Sequence, residues 1–135
     1  MSLSVISFTE NGLALAGKVR ETFTAEEVNL FTKCSFARES AEAVYVEEST
    51  GQWAGKQMEE GNALLFIGAC GIAVRAAAPW IKDKLHDSPV LVMDEMGHFV
   101  IPVLSGHMGG ANELAERISK VMGAVPAVSY THLRA

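Results

Sequence analysis

The residues best suited to chemistry lie in a glycine-rich stretch at positions 105–114, SGHMGGANEL. His107 is the leading titratable candidate, because an imidazole with a pKa of about 6.5 exchanges protons near neutral pH. Ser105 supplies a hydroxyl that either donates to a developing oxyanion or bonds the backbone. Three glycines allow backbone amides to approach a ligand closely: Gly106, Gly109 and Gly110. The stretch therefore predicts a ligand-binding turn, and a tight structural turn is the alternative.

The segments around this stretch have the pattern of a strand and a helix. An apolar run occupies positions 98–104, and a helical pattern covers positions 111–122. Strand, glycine-rich turn and helix is an arrangement that α/β proteins use for small-molecule sites, and a helix start favours anionic groups. Asn112 lies in the first predicted helical turn, where it can face a ligand, whereas Glu113 beside it is better explained by helix capping. No lysine follows the glycines, which excludes a phosphate-binding P-loop.

A second group of candidates follows two other predicted strands. Arg75 is the best anion-binding residue, because a guanidinium pairs with carboxylates through two hydrogen bonds; an ordinary surface ion pair is the alternative. Gly71 lies in the turn before it, and Cys70 in that turn is expected to be a small buried residue. Asp94 and Glu95 form an acidic pair at a strand end, where they act either as a general base or as turn residues.

Hydrophobic periodicity predicts alternating strands and helices. Strands are predicted at 3–8, 28–32, 63–67, 89–93, 98–104 and 124–128, and helices at 13–21, 71–85 and 111–122. Weaker patterns suggest a helix at 37–43, an extended segment at 44–47 and a helix at 52–59. Pro79 predicts a kink or two abutting helices. The fold class is α/β, a three-layer Rossmann-like sandwich with a mostly parallel or mixed central sheet and strand 63–67 at its centre.

The turn at 94–97 has a consequence for the site. It predicts that strand 98–104 returns antiparallel to strand 89–93. Asp94 and His107 would then lie at opposite edges of the sheet and could not form one catalytic pair within this domain. In that case we retain His107 and drop Asp94.

Composition restricts the class of protein. The chain has 135 residues, which suggests one domain, and a net charge of −5, which disfavours a nucleic-acid partner. No apolar run approaches about 18 residues, so no membrane span is expected, and the N-terminus lacks the pattern of a secretory signal. Cys34 and Cys70 do not form a Cys-x-x-Cys pair, so we expect free thiols in the cytoplasm. His98 and His107 lack metal-ligand spacing, so no metal site is predicted.

Three segments carry a family resemblance: ACGIAVRAAAP at 69–79, VMDEMG at 92–97 and FVIPVLSGHMGGANELA at 99–115. Their order and spacing closely resemble the N-terminal domain of the CbiG family of cobalamin biosynthesis. The resemblance is dense over about half of the chain and weakest at 34–61. It predicts a CbiG N-terminal-like α/β domain at 1–128. Residues 129–135 depart from the family pattern and are predicted to be an atypical tail, truncated or foreign to the family.

The resemblance implies an enzyme of the anaerobic pathway, a carbon–carbon bond hydrolase. It would open the δ-lactone ring of cobalt-precorrin-5A and release acetaldehyde to give cobalt-precorrin-5B. Because cobalt arrives within the corrinoid substrate, no cofactor is expected. The remaining C-terminal domain of the intact enzyme is an expected partner, and self-association stays open. The alternative is a non-catalytic corrinoid-binding or interaction module of a larger protein.

For the implied reaction the candidates fall into two sets. The catalytic set is His107, Ser105, Asp94 and Glu95. The set expected to bind the substrate's carboxylates is Arg75, Gly71, Gly106, Gly109, Gly110 and Asn112. The two turns that hold the second set must open onto the same side of the domain, or be completed by a domain outside this chain.

Overall fold

The computed structural model describes residues 2–105 and 110–129, in which strands and helices alternate. The strands are Ser2–Ser7 (β1), Glu27–Thr32 (β2), Val44–Tyr45 (β3), Ala63–Ile67 (β4), Val90–Met93 (β5), Phe99–Leu104 (β6) and Val125–Pro126 (β7). The helices are Glu10–Thr22 (α1), Thr50–Glu59 (α2), Cys70–Ala77 (α3) and Ala111–Met122 (α4). Short 3-10 turns follow β2 at Ser35–Ala37 and α3 at Ala78–Trp80.

The described strands form one mixed sheet in the order β3-β2-β1-β4-β5-β6-β7. The five strands from β3 to β5 in this order are parallel, β6 runs antiparallel to β5, and β7 runs parallel to β6. Strand β4 lies between β1 and β5, and all five of its residues are buried. The predicted central strand and the predicted antiparallel return are both confirmed.

Helices cover both faces of the sheet, which gives the predicted three layers. On one face, α1 and α4 pack through residues such as Val19 and Ile118 against the strand residues Val5 and Leu65. On the other face, α2 and α3 pack against a second set of strand residues, which includes Phe66. The near-continuous apolar character of β4 follows from this double coverage, because neither of its faces meets water.

The helix that follows β4 is shorter than the sequence predicts. In place of the predicted helix 71–85, α3 ends at Ala77 and the 3-10 turn at Ala78–Trp80 abuts it, so the break predicted at Pro79 is confirmed and the extension to residue 85 is wrong. Beyond it, the Asp87 side chain accepts a hydrogen bond from the Lys82 amide at 2.8 Å and holds a non-helical loop. The predicted helix at 37–43 is also wrong, because only the 3-10 turn at Ser35–Ala37 forms in that region.

Two further observations concern the cysteines and the membrane. Cys34 and Cys70 are both free, as predicted. Cys70 is exposed, however, so its expected burial is wrong; it begins α3 at an open end of the sheet. Within the two described ranges, no helix is both long and apolar enough to cross a membrane.

Candidate functional site

The direction of chain winding reverses between β1 and β4. From β1 the chain adds β2 and β3 on one side, whereas β5 is added on the other side of β4. In open α/β sheets, ligands bind outside the carboxyl ends of the strands at such a reversal. We call the end of the sheet where β1, β2, β4 and β5 finish the carboxyl edge, and the opposite end the amino edge.

The start of α3 lies at the carboxyl edge and is open to an anion. Its N-cap, Ala69, makes no side-chain capping hydrogen bond, and Cys70 and Gly71 are exposed. The first two amides of α3, those of Cys70 and Gly71, have no hydrogen-bond partner in the described ranges and remain available to a ligand, whereas the Ile72 amide donates to the Ala69 carbonyl at 3.1 Å. The Arg75 Nη1 atom lies 3.9 Å from the position that a Cβ on Gly71 would occupy. Arg75 is exposed and forms no ion pair with any residue in the described ranges. Free amides and a free guanidinium are therefore adjacent here.

Glu95 lies at the same edge and is held by Thr9. The Thr9 hydroxyl donates to Glu95 Oε1 at 2.7 Å and accepts from the Gly12 amide at 3.0 Å, so it also caps α1. Because Thr9 follows β1 and Glu95 follows β5, this hydrogen bond reaches across the end of β4. The structure thus places a half-buried carboxylate on the edge that also carries Arg75.

Asp94 serves the turn between β5 and β6. Its Oδ1 atom accepts hydrogen bonds from the His98 amide at 2.8 Å and the Phe99 amide at 2.7 Å, and Oδ2 accepts from the Met96 amide at 3.2 Å. A carboxylate that satisfies three backbone donors is a structural group, so we drop Asp94 from the candidate bases.

The residues at the ends of the glycine-rich stretch lie at the amino edge. Ser105 follows β6, and its hydroxyl donates a hydrogen bond to the Asp87 carbonyl at 3.0 Å. Of the two predicted roles of Ser105, the structure therefore shows the bond to the backbone. Gly110 precedes α4 with a φ of 85°, and Asn112 is half-buried in the first turn of α4. The predictions for Gly106, His107 and Gly109 fall outside the described residues.

The two predicted halves of the binding site are consequently apart. Arg75 and Gly71 lie at the carboxyl edge, whereas Gly110 and Asn112 lie at the amino edge. A five-residue strand such as β4 separates these edges by about 17 Å, at about 3.3 Å per residue. The structure therefore does not bring these turns onto one side of the domain.

A cleft that the sequence patterns do not indicate opens at the carboxyl edge. It has a volume of about 430 Å³ and is lined by the turns that follow β1 and β2, at residues 8–11 and 33–36. We call it the β1–β2 cleft. Its rim carries Phe36, whose exposed fraction is 85%. The segment containing Phe36 has no distinctive motif, so only the coordinates reveal the cleft.

No group of three or more His, Cys, Asp or Glu residues is placed to hold a metal ion in the described part of the chain. The carboxyl edge offers hydrogen-bond donors at the start of α3, the guanidinium of Arg75 and the carboxylate of Glu95. Such a set is suited to binding and orienting an organic polyacid.

Comparisons with known proteins agree on one family. Residues 52–132 match the family model described as cobalamin synthesis G N-terminal. A cobalt-precorrin-5A hydrolase of Salmonella typhimurium is 52% identical over 68 residues, which cover 50% of this chain and 19% of that protein. A cobalt-precorrin-5A hydrolase of Priestia megaterium is 32% identical over 127 residues, which cover 93% of this chain and 34% of that protein.

A solved structure shares the fold. The crystal structure of a protein described as a cobalamin biosynthesis protein G homologue from Sulfolobus solfataricus superposes with a TM-score of 0.66. It is 22% identical and covers 95% of this chain and 36% of that one. The chain thus spans about a third or less of these relatives. Since the family model matches more than half of its residues, the chain belongs to the cobalamin synthesis G N-terminal family.

Proposed function

We propose that this chain is the N-terminal domain of a cobalt-precorrin-5A hydrolase. The observation that carries the proposal is the similarity to two curated proteins of that name, one of them over 93% of this chain. The reaction opens the δ-lactone ring and releases acetaldehyde to give cobalt-precorrin-5B. The remaining C-terminal domain of the intact enzyme completes the protein. The two free thiols support a location in the cytoplasm.

The proposed role of the carboxyl edge is to bind the substrate's peripheral carboxylates. The corrinoid carries acetate and propionate arms, and Arg75 offers a guanidinium that forms paired hydrogen bonds with such groups. The amides of Cys70 and Gly71 at the start of α3 add donors beside it. Gly71 lies beside both, because a Cβ on Gly71 would be 3.9 Å from Arg75 Nη1. Cobalt belongs to the substrate, so these residues act on its organic periphery.

The chemical step requires hydroxide addition to the lactone carbonyl and then cleavage of a carbon–carbon bond. Proton transfer and oxyanion stabilisation serve both steps. Glu95 is the candidate at the carboxyl edge, and His107 remains the candidate from the glycine-rich stretch. Since that stretch is anchored at the amino edge by Ser105 and Gly110, the two candidates represent alternative locations for the reacting lactone.

A second candidate function is a non-catalytic corrinoid-binding module. The observation that favours it is that Asp94 is fully engaged with backbone donors. In addition, the other candidates that the structure describes lie at opposite edges. Under this alternative the domain binds the substrate, and residues outside the chain perform the chemistry.

The test is acetaldehyde release from cobalt-precorrin-5A, measured with a coupled alcohol dehydrogenase assay. Two proteins are compared: the isolated chain, and a hybrid in which it replaces the matching segment of the Priestia megaterium hydrolase. We expect turnover by the hybrid. Turnover by the isolated chain as well would show that the domain is catalytic. If the isolated chain binds the substrate without converting it, the result would favour the non-catalytic binding module. A folded hybrid that neither binds nor converts the substrate would refute the proposal.

The hybrid also locates the reacting lactone. If His107 performs acid–base catalysis, His107→Gln should reduce acetaldehyde release by about 100-fold or more. If His107→Gln instead turns over at a near-normal rate and Glu95→Gln loses about 100-fold, the reaction would be assigned to the carboxyl edge. The matched control is Glu113→Gln, an exposed carboxylate in the first turn of α4, which should retain normal turnover.

A further inference from the structure

The β1–β2 cleft is formed by two turns that the sheet holds firmly together. Ser7 at the end of β1 pairs with Thr32 at the end of β2, and their hydroxyls are hydrogen-bonded at 3.0 Å. The Lys33 amide then donates to the Ser7 carbonyl at 2.8 Å, which extends the pairing beneath the cleft. The cleft is therefore preformed, and its volume of about 430 Å³ lies within the ~300–1,000 Å³ typical of small-molecule sites.

The polar groups of the cleft differ in their availability. Lys33 is engaged, because its Nζ atom donates to the carbonyls of Val46 at 3.2 Å and Glu48 at 2.8 Å. The side chains of Asn11 and Ser35 are exposed and make no hydrogen bond with any residue of the described ranges. The cleft thus offers a free amide, a free hydroxyl and the exposed carboxylate of Glu10, and its one lysine is already bonded. This combination suits a neutral ligand surface with a few polar atoms better than a bare anion.

Two phenylalanines supply the apolar surface of the cleft. Phe8 is half-buried at its inner side, and Phe36 projects from the rim with 85% of its surface exposed. Phe36 has the largest exposed fraction among the exposed large hydrophobic residues of the described chain. An aromatic ring in this position is ready to pack against the flat face or the methylated edge of a ligand.

The cleft is adjacent to the turn that leads into α3. Phe8 Cδ2 lies 3.5 Å from the position that a Cβ on Gly68 would occupy, and Gly68 begins the turn that leads into α3. Strands β2 and β4 are separated by β1 alone, so their carboxyl ends lie about 10 Å apart at two strand spacings. A single macrocycle with peripheral carboxylates can therefore reach both the cleft and Arg75.

We propose that the β1–β2 cleft is a second subsite, in which Phe36 packs against the apolar edge of a corrin-type macrocycle while a peripheral carboxylate binds at Arg75. This inference rests on the proposed function and assigns the ring-recognition part of the same site. Phe36 contributes affinity for the ring, and Arg75 contributes affinity for charge.

The two contributions are separated by two probes and two variants. Cobyrinic acid carries the ring and its carboxylates, whereas dicyanocobinamide keeps the ring but has amides in place of the carboxylates. Phe36→Ala should weaken the binding of both probes by about tenfold, the loss expected when one aromatic contact is removed. Arg75→Ala should weaken the binding of cobyrinic acid by about tenfold or more and leave the binding of dicyanocobinamide nearly unchanged. Dissociation constants are measured by calorimetric titration of the purified chain.

Controls distinguish a local effect from general damage. Leu85→Ala removes another exposed apolar side chain, 64% exposed and distant in sequence from the cleft, and should bind both probes like the wild type. Phe36→Tyr keeps the ring and should restore most of the affinity. Unchanged affinity of a folded Phe36→Ala for both probes, with Arg75→Ala still defective for the acid, would overturn the cleft assignment alone. Failure of the wild type to bind either probe would overturn the proposed binding of the substrate at the carboxyl edge, and the cleft assignment with it, whereas the hydrolase function is tested separately by turnover of the hybrid.

Discussion

The packing of Trp80 on Gly55 provides a stability prediction that the structure allows us to quantify. A Cβ added to Gly55 would lie 2.4, 2.6 and 2.7 Å from three atoms of the Trp80 indole. Favourable contacts between carbon atoms need about 3.5–4.0 Å. In Gly55→Ala the indole must therefore move away from α2. This movement also breaks the hydrogen bond from Trp80 Nε1 to the Gly51 carbonyl, which measures 2.9 Å.

The net effect of Gly55→Ala is the sum of three contributions. Because Trp80 is 42% exposed, its ring can swing outward, and we take the lower part of the overpacking range, about 1–2 kcal/mol. Loss of the indole hydrogen bond adds about 1 kcal/mol, and the better helix propensity of alanine returns about 1 kcal/mol. We expect the free energy of unfolding to fall by about 1–2 kcal/mol in urea titrations followed by circular dichroism.

A matched variant in α1 isolates the contribution of the contact. A Cβ on Gly17 meets nothing within 4 Å, so Gly17→Ala should raise the free energy of unfolding by up to about 1 kcal/mol. In a Trp80→Ala background, Gly55→Ala should likewise become neutral or stabilising. If Gly55→Ala in the otherwise unchanged chain is as stable as the wild type or more so, the packing of the turn after α3 against α2 is not as described.

Three further predictions follow from individual contacts. Asp94→Ala should lower the free energy of unfolding by about 1–3 kcal/mol, because three turn amides lose their acceptor, and Asp94→Asn should cost less; equal stability of all three proteins in urea would contradict the structural role. Cys70 should react with iodoacetamide in the native protein, and Cys34 only after unfolding, as read by mass spectrometry; comparable native rates would contradict their different burial. The side-chain hydrogen bond with His86 lowers the pKa of Asp83, so this stabilisation is present at neutral pH and is lost as the pH falls through the lowered pKa. His86→Ala should raise the pKa of Asp83 toward its ordinary value in a carboxyl NMR titration, and an unchanged pKa would refute the assigned cause.

Local sequence patterns were sufficient to predict the elements whose buried residues follow one another without interruption or recur at helical spacing. The predicted strand 63–67 and the predicted helix 111–122 have the bounds of β4 and α4. A continuous apolar run marks a doubly covered strand, and apolar residues such as Leu114 and Ile118, four positions apart, mark one face of a helix. The turn at 94–97 fixed the antiparallel direction of β6, because so short a connection cannot cross over the sheet.

Contacts between distant residues decided what the sequence did not predict. The helix 71–85 was expected to continue past Pro79, but Trp80 turns onto Gly55 and the Asp87 carboxylate holds the following loop. Phe36 was not singled out, because its exposure depends on how the turn after β2 meets the turn after β1. Spacing along the chain identified glycine turns without showing which edge of the sheet each one occupies.

The central claim is that the substrate's carboxylates bind at the carboxyl edge, and an NMR titration tests it directly. The isotope-labelled chain is titrated with cobyrinic acid, and amide shifts are followed at both edges of the sheet. We predict saturable shifts at Cys70 and Gly71, with the Asn112 amide at the amino edge unchanged. Arg75→Ala should weaken the response without moving its location. Saturable shifts confined to Asn112 and its neighbours, with Cys70 and Gly71 unchanged, would contradict the claim and assign binding to the amino edge.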